Sequence, residues 1–145
     1  LSESGQRDAE AIAGKMQGDN LRPATILCSP ARRTRETCEA VRAVWPDVPA
    51  SFPEHLYLAT TGALYDMLKQ QDDALKSLML IGHNPGVHGL VQLLAGEVAR
   101  DLRFKLLGGY RTGSLSILEC EAERWADILP GGCRLAGLFV GKELA

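Results

Sequence analysis

The chain has 145 residues, 46% of them hydrophobic, and a formal net charge of −2. This is the composition of one globular domain with a sizeable core, and the near-neutral balance argues against a nucleic-acid surface or a polybasic membrane patch. No run is apolar and long enough to span a bilayer and no signal-peptide pattern opens the sequence, so a single cytoplasmic domain is expected.

In chain order, Ser2 is placed to cap a helix running to about Gly18, with Ala9, Ile12, Ala13 and Met16 on its apolar face. Residues 24–28 read as a buried strand. Ser29-Pro30 then forms a cap-plus-proline helix start, and the helix runs through Trp45 with residues 37, 38, 41, 44 and 45 as its buried face. Residues 46–53 are loop, and 52–58 hold a short strand with Glu54 and His55 near its start. Thr60 or Thr61 caps a helix to about Gln71, with Leu64, Met67 and Leu68 inward. Residues 77–81 form a second buried strand. Asn84-Pro85 repeats the cap-plus-proline signal ahead of a helix whose apolar positions 87, 90, 91 and 94 share one face. Residues 96–110 read as irregular surface, 112–118 as an edge strand, and 135–140 as a closing strand or hairpin. No repeat, low-complexity tract or linker is present.

Cys28, Cys38, Cys120 and Cys133 contain no C-x-x-C pair and read as reduced, buried thiols. His55, His83 and His88 share no ligand spacing with them, so no metal site is expected.

Two strand–turn–helix units therefore deliver polar groups to the carboxyl edge of one sheet, where ligands bind in open α/β folds. The first carries Arg32, Arg33 and Arg35. Helical side chains lean toward the N-terminus, so a first-turn arginine can reach back over the strand end. Arg33, one turn before Thr37, shares the inner side, whereas Arg32 and Arg35 face solvent. The second unit carries His83 and Asn84. A guanidinium fork, an imidazole and two helix N-termini together suit an oxyanion such as phosphate. Taken singly, a first-turn arginine is usually solvated and a histidine after a strand is usually a loop residue; the coincidence of both on one edge is what points to a site. His88, His55 and Glu54 read as a helix-face residue and two loop residues.

These residues resemble a known family. Leu1-Ser2-Glu3-Ser4-Gly5-Gln6-Arg7-Asp8-Ala9 is similar to the L-T-x-x-G-x-x-Q/D-A helix start of the histidine phosphatase superfamily, and Ser29-Pro30-Ala31-Arg32-Arg33-Thr34-Arg35-Glu36-Thr37 to its S-P-x-x-R-A-x-Q-T motif. Gly82-His83-Asn84-Pro85-Gly86 resembles the G-H-N-P-G of the SixA-related, phosphohistidine phosphatase branch. Arg111-Thr112-Gly113 stands where P-T-G is usual, followed by Trp125 and Pro130-Gly131. The resemblance runs nearly the whole chain, and the order and spacing of the motifs carry it.

The resemblance implies a phosphoglycerate-mutase-like, three-layer α/β/α sandwich with a mostly parallel sheet. It implies hydrolysis through a phosphohistidine intermediate, on a phosphohistidine protein or a small phosphoester, without metal or cofactor. Arg33 would clamp the phosphoryl group, His83 would stabilise it in transfer, and Asn84 would help bind substrate. Glu54 is the candidate general acid; a mutase is disfavoured by the short chain and the lack of a clear glutamate. The family's nucleophile lies in an R-H-G at the end of a first strand, and no R-H-G occurs in these 145 residues. In the family that strand lies mid-sheet beside the strands that carry Arg33 and His83, so its loss is expected to expose two apolar strand edges, at a cost exceeding a domain's marginal stability. The expectation is therefore that the sequence belongs to a longer chain. The alternative is a non-catalytic phosphate or phosphoprotein binder. Thr34 in place of alanine and Arg111 in place of proline bear on substrate specificity more than on fold.

Overall fold

Ser2 Oγ accepts a hydrogen bond from Gly5 N–H at 3.1 Å and opens α1 (Glu3–Gly18), which buries Ala9, Ile12, Ala13 and Met16. In this computed structural model, which describes residues 1–107 and 113–144, α1 is followed by β1 (Ile26–Cys28), α2 (Arg32–Val44), β2 (Ala50–Ser51), α3 (Thr61–Lys69), β3 (Met79–Ile81) and α4 (Gly86–Leu94). These build a parallel sheet of order β2-β1-β3, with Ile26 opposite Ala50 and Met79. Then come β4 (Ala95–Val98), α5 (Arg100–Leu107), β5 (Ser114–Cys120), β6 (Cys133–Val140) and α6 (Gly141–Leu144). The second sheet has order β4-β6-β5, with β4 parallel and β5 antiparallel to β6.

Three layers follow from the alternation of side chains along β1. Ile26 and Cys28 face one way, into a cluster with Ile12, Met16, Cys38 and Val41 from α1 and α2. Leu27 faces the other way, into a cluster with Leu64, Met67, Leu68, Leu90 and Leu94 from α3 and α4. Successive strand residues point to opposite faces, so a three-residue strand buried on both sides needs helices on both. The expected mixed α/β, mostly parallel architecture is the one observed. No helix among the described residues is long and apolar enough to cross a membrane.

Several local expectations differ. Residues 96–107 are ordered as β4 and α5: Leu102 and Leu106, four apart among charged neighbours, pack on Val91, Leu135 and Leu138, a two-point stripe too sparse to stand out as periodic. Residues 52–58 form no strand; β2 ends at Ser51, and Glu54–Leu56 is a 3-10 turn that buries Leu56. Arg111 and Thr112 lie outside the described residues. The buried positions of α2 are Thr34, Cys38, Ala40 and Val41, with Thr37, Val44 and Trp45 only half-buried. Cys28 and Cys38 are free and buried, but Cys120 and Cys133 form a disulfide, because the β5/β6 register sets them directly opposite with Cα atoms 4.3 Å apart. Of the two strand edges expected to be open, β1 has none, since β2 and β3 flank it; β3 pairs only with β1 among the described residues.

Close packing joins α4 to the segment before α3. Thr61 Oγ1 donates to Gly86 O at 3.0 Å, and a Cβ placed on Gly86 would overlap the Ala59 carbonyl. Gly86→Ala is therefore expected to destabilise the fold by about 1–3 kcal/mol, the usual cost of overpacking, seen as a lower urea midpoint at unchanged m-value.

Candidate functional site

The parallel pairing of β1 with β3 carries on one step past the strands: Ser29 N–H donates to Ile81 O at 2.9 Å. This brings the residues after each strand, Ser29-Pro30 and Gly82-His83, together at the carboxyl edge. Neither helix starts where cap-plus-proline spacing predicts. Ala31 is the N-cap of α2 and Pro85 that of α4, and neither makes a side-chain cap. The polar residues one or two places earlier are used otherwise. Ser29 turns its hydroxyl to His83, while Asn84 Oδ1 accepts from His88 N–H at 3.2 Å, a cap offset by one residue. Neither helix has an acidic residue in its first turn, so the positive ends of both dipoles are left uncompensated.

His83, 6% exposed, is held at both ring nitrogens. Arg33 Nη2 lies 3.1 Å from Nδ1 and Ser29 Oγ lies 2.7 Å from Nε2. The guanidinium has only donors, so Nδ1 must accept, and the ring's single proton sits on Nε2 and is donated to Ser29. His83 is thus neutral, which agrees with a pKa pushed below the ordinary histidine value, first by burial and then by the Arg33 charge. Thr34 Oγ1 donates within 2.8 Å of both Ser29 O and Ala31 O, fixing the turn that presents Ser29 and Arg33. The Tyr57 ring meets the imidazole edge to face, with centroids 5.6 Å apart.

The three arginines separate as follows. Arg32 is largely solvated and donates to Glu36 at 3.1 Å. Arg35 donates to Pro30 O at 2.8 Å and lies over the Phe52 ring, so it is held rather than loose in solvent. Arg33 reaches His83, and among the described residues no carboxylate is paired with it. A cavity of about 250 Å³ opens beside His83 and Asn84, closed on its far side by residues 58–61. Glu54 is exposed on the 3-10 turn and does not line this cavity; His55 is exposed beside it. His88 bonds through Nε2 to Leu106 O at 2.8 Å. Arg33, His83 and Asn84 are therefore brought together and Glu54 is not. Ser29 and Tyr57 belong with them, although the sequence marks Ser29 only as a cap and Tyr57 not at all. Among the described residues no group of three or more His, Cys, Asp or Glu side chains is arranged to hold a metal ion.

A family model described as Histidine phosphatase superfamily (branch 1) matches residues 1–76. An uncharacterized Mycobacterium tuberculosis protein is 28% identical over 144 residues, covering 98% of this chain and 89% of its own length. An uncharacterized chloroplastic protein of Arabidopsis thaliana is 26% identical over 152 residues, covering 95% of this chain and 66% of its own length. Among solved structures, a protein designated phosphohistidine phosphatase SixA from Agrobacterium tumefaciens superposes with a TM-score of 0.80 at 26% identity, over 97% of this chain and 82% of that one. A protein histidine phosphatase SixA complexed with tungstate superposes with a TM-score of 0.73 at 18% identity, over all of this chain and 86% of that one.

Two outcomes follow from the geometry. Ser29→Ala leaves a buried imidazole N–H without its acceptor, which should lower stability by about 1–3 kcal/mol; ¹⁵N shifts of His83 should still report Nε2–H, because Arg33 continues to occupy Nδ1, and should lose that signature in Arg33→Ala. Second, His83 takes up a proton in the unfolded chain before it does so in the native one. The native state should therefore lose stability as pH falls through about 6.5, with a shallower slope in His83→Gln, read from urea midpoints between pH 5 and 8.

Proposed function

This chain belongs to the histidine phosphatase superfamily, and from that premise we propose that it hydrolyses phosphoryl groups from a phosphohistidine protein or a small phosphoester, with Arg33 and His83 holding the group in transfer. One observation carries the reading: an arginine with no paired carboxylate among the described residues donates to a buried, neutral imidazole, at the meeting point of two uncompensated helix N-termini. An incoming phosphoryl dianion is a far better acceptor for the Arg33 fork than Nδ1 is. Once Arg33 turns to the anion, the negative charge favours protonation of His83 at Nδ1. The imidazolium then donates to a phosphoryl oxygen while Nε2–H stays on Ser29. Guanidinium, imidazolium and helix ends supply the positive charge that phosphoryl transfer requires. Asn84, in the turn below His83, holds the start of α4 and borders the same space.

The covalent step that the family resemblance implies needs a second imidazole to receive the phosphoryl group. Among the described residues His88 is engaged with Leu106 O and His55 is exposed on the 3-10 turn, so we assign that step to neither. Glu54, exposed on the segment that leads to Tyr57, would have to reach inward to act as proton donor. The same Arg33–His83 contact could hold the anion without passing it on, so the second reading is a domain that binds phosphate or a phosphoprotein without turnover.

The test is tungstate affinity and p-nitrophenyl phosphate hydrolysis by the full-length protein and its Arg33→Ala and His83→Ala variants. Loss of one charge-assisted hydrogen bond is worth about 1.5–3 kcal/mol, so each variant should bind tungstate at least about tenfold more weakly and lose most activity while keeping a native circular dichroism spectrum. Tungstate binding without turnover supports the second reading; unchanged affinity in both variants overturns both readings.

A further inference from the structure

Three of the polar oxygens around the cavity beside His83 are already engaged. Thr60 Oγ1 accepts from Ala63 N–H at 3.2 Å, Thr61 Oγ1 donates to Gly86 O at 3.0 Å, and Asn84 Oδ1 accepts from His88 N–H at 3.2 Å. These oxygens serve the starts of α3 and α4, which leaves the cavity the Thr60 hydroxyl proton and the methyl groups of the two threonines. Among the described residues that line it, none carries a charged side chain while His83 is neutral. Two large side chains next to it are left uncovered by the fold: Leu58, which lines the cavity and is 60% exposed, and Tyr57, 56% exposed and edge to face with His83. Leu58 also sits at φ +51°, a left-handed conformation that a branched, non-glycine residue rarely adopts. A leucine that is both strained and solvated contributes little to the core, and backbone outliers of this kind gather at ligand sites.

We propose that residues 57–61 form the specificity wall of the site, with Leu58 as its selecting residue, and that the wall admits phosphorylated substrates whose leaving group is uncharged and apolar while rejecting those that carry a carboxylate or a second phosphate. The inference rests on the reading that Arg33 and His83 hold the phosphoryl group. A leaving group seated there lies against Leu58, the Tyr57 ring and two threonine methyls. An apolar one removes its surface and theirs from water. A carboxylate or second phosphate gives up hydration, competes with the phosphoryl group for the helix ends, and meets no charged side chain on the wall.

The experiment measures binding, so it does not depend on turnover. Inorganic phosphate, phenyl phosphate and 3-phosphoglycerate are titrated at constant ionic strength, by displacement of tungstate, into the full-length protein and into Leu58→Ala and Leu58→Lys. A buried carboxylate left without a partner is penalised, so phenyl phosphate should bind about 5- to 150-fold more tightly than 3-phosphoglycerate. Leu58→Ala should weaken phenyl phosphate several-fold. Leu58→Lys should bring 3-phosphoglycerate level with or ahead of phenyl phosphate; the added charge also strengthens inorganic phosphate, so the readout is the ratio of the two esters. Phosphate binding with no preference between the two esters, or a preference that Leu58→Lys leaves intact, overturns the wall and leaves the Arg33–His83 reading standing. Failure of all three anions to bind takes down that reading and the wall with it.

Discussion

The site depends on a contact that holds only while the ring is neutral: a guanidinium donating to the Nδ1 of a buried imidazole. Burial depresses the basicity of the ring, and the arginine it touches depresses it further. The ring therefore stays neutral, keeps its proton on Nε2, and anchors that proton on Ser29. Arg33 in turn has an acceptor that is good enough to order the side chain and weak enough to be replaced. An arginine paired with a carboxylate, as Arg32 is with Glu36, would give up more on taking an anion.

The backbone sets this contact with little help from side-chain capping. Parallel pairing of β1 with β3 ends one residue after Cys28, with Ser29 N–H on Ile81 O. The two following turns then lie side by side by construction. The hydroxyl of Ser29 and the amide oxygen of Asn84 are drawn away from the ordinary capping positions, one to the imidazole and one to His88 N–H. Both helices consequently start a residue or two late and without an acid in the first turn. The departure from capping is local in cost, yet it leaves two sets of backbone N–H groups directed at the place where an anion would sit.

The neighbouring segment completes the enclosure. The 3-10 turn at Glu54–Leu56 buries Leu56 and swings Tyr57 against His83, and Thr61 ties the start of α3 to Gly86. Gly86 has room for no side chain because the Ala59 carbonyl lies against it. One face of the imidazole is thus governed by α2 and the cavity side by the 57–61 segment, and the two can vary independently.

The sequence by itself determined the elements with strong local signals. The apolar stripe of α1 and the inward Leu64, Met67 and Leu68 of α3 are specified by side-chain period, and the strands at Ile26–Cys28 and Met79–Ile81 by short apolar runs, although the second is buried only at Ile81. It also placed Arg33 and His83 at one sheet edge, because strand–turn–helix units of one parallel sheet turn at the same edge. Only the tertiary structure decided the rest. That β4 and α5 are ordered depends on partners in β6 and α4, distant along the chain. The Cys120–Cys133 bond depends on a cross-strand register that spacing does not reveal. The roles of Ser29 and Tyr57 depend on contacts spanning 54 and 26 residues. Periodicity encodes which face of an element is apolar; which polar atom meets which is a matter of long-range geometry, and this site is made of such meetings.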